Sequence, residues 1–169
     1  MQDPLFLVFQ IVILIMSAVA HELAHGYAAD FLGDPTARLS DRLTVNPLKH
    51  LEPFGSVVLP LLLVLSHSPF VLGWAKPVPY NPYNLKGRYG ETIVAGAGAF
   101  TNLIIAIIFG LIIRLGTGSL PASFLEIATV VVIINVVLAI FNMIPIPPLD
   151  GSKVLNLFLF CLFFTFIYI

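Results

Sequence analysis

Long stretches of this chain carry almost no charge. Residues 53–75, 92–113, 127–149 and 154–169 contain no Asp, Glu, Lys or Arg, and residues 5–29 contain only Glu22. About 20 apolar residues are enough to cross a bilayer as a helix. Four of the five runs reach that length, and the last is marginal. Only 10% of the residues are charged, against about 25% in a soluble domain. This excludes an ordinary globular domain and a disordered chain. A net charge of −1 leaves no basic field, so no nucleic-acid partner is expected. A single cysteine, Cys161, excludes a disulfide framework and a cysteine-based zinc site. The first apolar run lacks a basic start and a small-residue cleavage site, so no cleavable signal peptide is expected. The chain reads as one domain, residues 1–169. It is an all-α polytopic membrane protein with about four transmembrane helices, embedded in the lipid bilayer.

The run at 53–75 differs from the others. It contains Gly55, Pro60, Ser66-His67-Ser68-Pro69 and Gly73, and is followed by Lys76-Pro77-Val78-Pro79 and Asn81-Pro82. Proline removes a backbone donor and clashes with the preceding turn. The segment from about 53 to 79 therefore reads as re-entrant or β-hairpin-like rather than as a straight span. Non-helical backbone at membrane depth must be buried in protein or line a wet cavity. Charge placement favours the re-entrant arrangement. If 53–75 crossed the membrane, the eight Lys and Arg residues would divide evenly between the two sides. If it turns back, only Arg114 lies apart from the rest, which is the asymmetry that the positive-inside rule requires. This puts the N-terminus outside and the loops at 30–52 and 76–91 in the cytoplasm.

The first run ends in His21-Glu22-Leu23-Ala24-His25, an HExxH pattern. On a helix, residues four apart share a face, so both imidazoles reach one metal ion. Zinc suits such a set: neutral imidazole ligands, tetrahedral geometry and one position open for water. The metal acidifies water and polarises a carbonyl, and Glu22 shuttles the proton. With this composition, chance produces HExxH roughly 2 times in 1000. Histidine and glutamate inside an apolar span are also costly and by default functional, which favours a metal site over simple helix packing.

A third ligand is required. His50 sits beside Lys49 in a polar loop and reads as solvated or interfacial, and His67 falls at the proposed hairpin tip. Asp30 and Asp34 lie within ten residues of His25, past the expected membrane edge. The best candidate is Asp150, which closes Asn142-Met143-Ile144-Pro145-Ile146-Pro147-Pro148-Leu149-Asp150-Gly151. In the re-entrant arrangement, run 127–149 returns to the cytoplasmic side. Asp150 then arrives at the depth of the two histidines.

HExxH in a membrane helix, paired with a distant Asn-x-x-Pro…Leu-Asp-Gly, resembles the site-2 protease family of intramembrane zinc metalloproteases. It is most like the small prokaryotic members without PDZ or CBS domains. Asn46-Pro47-Leu48-Lys49-His50, Gly73-Trp74-Ala75-Lys76-Pro77-Val78-Pro79 and Asn81-Pro82 extend the likeness from about residue 8 to 155. The resemblance implies that His21, His25 and Asp150 hold one Zn2+ per chain and that Glu22 is the general base, then acid. It places Asn142 near the scissile carbonyl. Gly98-Ala99-Phe100-Thr101-Asn102 matches a Gly-Pro-x-x-Asn element with Ala99 in place of proline, which implies that Asn102 is a further polar site residue. The family's usual Asp-Gly-Gly-Arg reads Asp150-Gly151-Ser152-Lys153 here.

The implied reaction is hydrolysis of a peptide bond within or near the transmembrane segment of a single-pass membrane protein, as in regulated intramembrane proteolysis. A helical substrate must unwind to expose its carbonyls, and segment 53–79 is expected to receive it by β-augmentation. The alternative is a membrane metal-ion transporter or metal-binding protein. A transporter typically shows internal repeats with matching broken helices, and this sequence shows neither. A membrane di-iron oxygenase fails on ligand count, with four histidines in all.

Overall fold

The computed structural model describes residues 4–66, 68 and 75–155. In chain order the helices are α1 (Pro4–Phe31), α2 (Thr36–Leu39), α3 (Leu59–Leu65), α4 (Gly90–Gly116) and α5 (Ala122–Asn142). Residues 150–155 are again helical, and no strand occurs among the described residues. Among the described residues, three helices are long and apolar enough to cross a membrane: Leu5–Phe31, Gly90–Gly116 and Ala122–Asn142. A fourth span within the last apolar run falls mostly at 156–169, outside the described residues.

The three spans pack as a bundle. On α4 every fourth residue from Gly90 is buried: Gly90, Val94, Gly98, Asn102 and Ala106. Small side chains on such a stripe let helix backbones approach closely, which is how apolar helices gain packing energy in lipid. Helix direction follows from the side-chain pairs. His21 meets Asn102 while His25 meets the Val94 carbonyl, so α1 and α4 are antiparallel. Ser17 meets Asn135 within α5, and further along α1 His25 meets Asp150, which follows the C-terminal end of α5, so α1 and α5 run the same way. The C-terminus of α1, the N-terminus of α4 and the C-terminus of α5 therefore share one end of the bundle.

The segment expected to be re-entrant or hairpin-like is helical in its first arm. Pro53–Val58 forms a π-helical turn that leads directly into α3. Leucine is a strong helix former, and Pro53 sits in the first turn, where its missing donor costs nothing. The Ser66 hydroxyl and the Ser68 amide both donate to the Leu63 carbonyl, closing the helix end. The tip, including His67 and 69–74, lies outside the described residues. The two ends of the segment nevertheless meet: the Lys76 amide donates to the His50 carbonyl at 2.7 Å. Arg42 braces this junction by donating from Nη2 to the Lys76 carbonyl at 3.0 Å.

A second junction forms where the chain leaves α1. Asp34 is fully buried. Its carboxylate accepts from the Thr36 amide and hydroxyl, the Asn84 amide group and the Asn81 backbone amide. Burial pushes this carboxyl up, but the hydrogen bonds outweigh it and hold the group below its ordinary value. The loop 81–84 is thus tied to the end of α1.

Candidate metal centre

HExxH occupies the last three turns of α1, and each imidazole is held from behind. The His21 Nδ1 lies 3.1 Å from the Asn102 Oδ1, and the His25 Nδ1 lies 2.7 Å from the Val94 carbonyl oxygen. Both partners are acceptors, so the protons belong on Nδ1 and the Nε2 lone pairs are left for a shared cation. Both Nε2 atoms lie beside one oxygen, Asp150 Oδ2, at 3.2 Å from His21 and 3.1 Å from His25. The three ligand atoms fall within 4.8 Å of one another. Two imidazole lone pairs against a carboxylate oxygen repel unless positive charge sits among them. A divalent cation with a preference for N and O donors supplies that charge, so this donor set fits zinc.

Two glycines make the approach possible. A Cβ at Gly98 would stand 2.5 Å from His21 Nε2, so any side chain there would displace the imidazole. A Cβ at Gly151 would stand 2.2 Å from the Met143 carbonyl oxygen. The proline-rich turn after α5 folds back on itself at this point and delivers Asp150.

Comparison with known proteins completes the assignment. The profile of Peptidase family M50 matches residues 110–163. The chain is 39% identical over 156 residues to "Putative zinc metalloprotease YwhC" of Bacillus subtilis, covering 88% of this chain and 68% of that protein. The chain belongs to the site-2 protease family. It is also 30% identical over 142 residues to "Putative zinc metalloprotease Rip2" of Mycolicibacterium smegmatis, covering 84% of this chain and 54% of that protein. The chain thus spans about two thirds of the first relative and about half of the second. No solved structure matches it. The family and the three apolar helices make it a multi-pass membrane protein of metallopeptidase type.

In this site-2 protease the carboxylate of Glu22 lies in the same cavity as the metal-ligand candidates. The cavity measures about 550 Å³ and is lined mainly by apolar side chains. The Glu22 Oε2 accepts the Val78 backbone amide at 2.8 Å. Asn142 lines the cavity from the end of α5, where its Nδ2 donates to the Leu138 carbonyl at 2.9 Å. Asn102 is fully buried behind His21, so the replacement of proline by Ala99 does not move it out of reach. Asn102 touches His21 and is not among the residues lining the cavity.

Other sequence candidates are occupied elsewhere. Asp30 pairs with Arg38, and Asp34 is consumed by its four donors. His50 is not solvated: it is 1% exposed, and its Nε2 donates to the Thr44 carbonyl. A Cβ at Gly26 would meet Leu43 at 2.5 Å and Val78 at 2.9 Å, so these side chains already fill the space beside His25. The expectation of β-augmentation also changes along 76–79. Pro77 and Pro79 have no amide hydrogen, and those of Lys76 and Val78 are already donated to His50 and Glu22. The Val94 carbonyl and the Val78 amide were invisible to sequence reasoning, because backbone groups carry no residue signature. Tyr80, which also lines the cavity, carried no motif of its own, and Lys153 entered only as the last residue of Asp150-Gly151-Ser152-Lys153.

Proposed function

We propose that this chain is an intramembrane zinc metalloprotease that cleaves single-pass membrane proteins within or near their transmembrane segment, in regulated intramembrane proteolysis. The observation that carries this reading is the convergence of His21 Nε2, His25 Nε2 and Asp150 Oδ2 beside Glu22, at one end of an apolar helix bundle. His21, His25 and Asp150 would hold one zinc ion per chain. When bound, it supplies Lewis acidity toward water and a peptide carbonyl. The chain's own groups handle the proton. Glu22 has one carboxylate oxygen anchored on the Val78 amide, which leaves the other free to accept a proton and later pass it to the leaving amine. Asn142 carries a second amide hydrogen beyond the one given to Leu138; it is assigned to the carbonyl oxygen as charge builds there. Asn102 and the Val94 carbonyl fix the histidine tautomers.

The same proposal places the N-terminus outside and the site toward the cytoplasm. The meeting of His50 with Lys76 supports a segment that returns to the side it left, and the antiparallel α1 and α4 agree with it. The test is a comparison of membrane-protein fragments in cells carrying wild type or Glu22→Ala, with zinc measured on both proteins. The protease reading expects zinc to be retained and a set of uncut membrane stubs to accumulate in the variant. Identical fragment patterns would reject it and leave the metal-transporter alternative.

A further inference from the structure

Lys153 is the one Lys or Arg among the described residues lining the cavity. It stands one helical turn beyond Asp150, and its ammonium donates to the Tyr80 hydroxyl at 2.7 Å. A lysine beside apolar surface ordinarily extends its charge into water. This one is only partly exposed and is tied across the cavity to the 75–80 stretch. The described ion pairs join His21 and His25 to Asp150, Arg38 to Asp30 and Lys49 to Asp41, and none includes Lys153. Burial works against its charge, but the Tyr80 hydroxyl, and then Asp150 and Glu91, more than offset that and keep it protonated. An ammonium has three hydrogens to donate, and Tyr80 takes one. The surrounding wall includes Ala18, Ala75, Leu138 and Phe141, which offer no side-chain acceptor. Neither carboxylate that shares the cavity is paired with Lys153: Asp150 faces the histidines, and one oxygen of Glu22 takes the Val78 amide.

We propose that Lys153 and Tyr80 form a specificity subsite that takes a carboxylate of the substrate chain next to the peptide bond to be cut. The carboxylate belongs to an Asp or Glu side chain or to a free C-terminus. The subsite rests on the protease reading, since it defines which apolar segment that centre accepts. An apolar wall with one held cation favours an apolar stretch that carries a single acidic group.

The test uses the full chain, zinc-loaded in detergent, with apolar peptides that differ at one position (Asp, Asn or Lys) and have free or amidated C-termini. Wild type should prefer carboxylate-bearing peptides. Lys153→Met should raise KM for those peptides by about tenfold or more, leaving kcat and the neutral peptides little changed. Lys153→Arg should keep the preference, Tyr80→Phe should weaken it, and Lys153→Glu should shift it toward lysine. Amidation that abolishes the preference identifies the C-terminus as the source; a preference that survives amidation identifies the side chain. Peptide binding to zinc-loaded Glu22→Gln reads the same selectivity without turnover. The subsite is overturned if wild type shows no carboxylate preference, or if Lys153→Met keeps it. It is also overturned if Lys153→Met loses zinc while selectivity is unaltered, which would make the lysine a support for Asp150. Failure of the protease reading looks different: no peptide is cut, or Glu22→Gln cuts as wild type does.

Discussion

His21 and His25 each spend one ring nitrogen on α4 and present the other to Asp150. This division makes the supporting acceptors as consequential as the ligands. Asn102→Ala removes the partner of His21 Nδ1 and frees the ring to change tautomer. Zinc affinity should fall by about 10–100-fold, read by competition with a chromophoric chelator. An unchanged affinity would show that Asn102 only packs α4 against α1. Asp150→Ala goes further, removing one of the three proposed ligands, and should strip most of the metal and abolish cleavage. Full zinc content and activity in that variant would place the third ligand elsewhere. The convergence of His21, His25 and Asp150 beside Glu22 was legible because it is carried by side-chain type and spacing. Their supports were legible only in part. Asn102 was legible only through the resemblance to a Gly-Pro-x-x-Asn element, whereas a valine carbonyl is the same in every residue.

Elements bring these residues together through two tight approaches and one latch. The sequence singled out Gly98 and Asn102 on α4, but the direction of α4 relative to α1 required the paired contacts. Gly98→Ala forces a methyl group into the His21 ring and should cost about 1–3 kcal/mol, read as a lower Tm together with weakened zinc binding. A Tm loss with intact metal affinity would mean that the helices separate without moving the imidazole. The latch is Asp34. Its folded pKa is depressed, so its stabilisation is present above the unfolded carboxylate range near pH 4 and is lost as pH falls through the lower folded value. Asp34→Asn should therefore lower stability by about 2 kcal/mol at pH 7, with the gap to wild type closing below about pH 4. A gap that stays constant with pH would assign the effect to packing. The helical first arm of segment 53–79 is masked in the sequence by its prolines, which ordinarily break a helix. Pro53 falls in the first turn, where a proline breaks nothing, and the helix runs on through Pro60.

At the scale of the molecule, the metal-site residues collect where three helix ends meet the polar loops. Val94 lies one turn into α4, Asn142 ends α5, and Asp150 follows it. The loops at that end carry Arg38, Arg42, Lys49, Lys76, Lys86 and Arg88, whereas Arg114 lies in the last turn of α4 at the other end. Such asymmetry orients a membrane protein with its basic loops in the cytoplasm. Cysteines introduced at positions 38 and 86 should then be labelled only from that side, and labelling from opposite faces would reject the shared-side topology. Water must also reach the centre, because a charged Glu22 in hydrocarbon is strongly disfavoured. The route does not pass beside Gly26, where Leu43 and Val78 fill the space. Beyond Glu22 and the candidate ligands, the polar part of the cavity wall is formed instead by Tyr80, Asn142 and Lys153, next to the loop end of the bundle. A small water-soluble chelator should thus extract zinc several-fold faster from inverted vesicles than from right-side-out ones. Lys153→Leu, which removes the charge while keeping the bulk, should slow extraction from inverted vesicles and leave the slow right-side-out rate unchanged. Equal rates from both faces would mean that the centre is hydrated through the bilayer-facing gap between helices, and the cytoplasmic route would be abandoned.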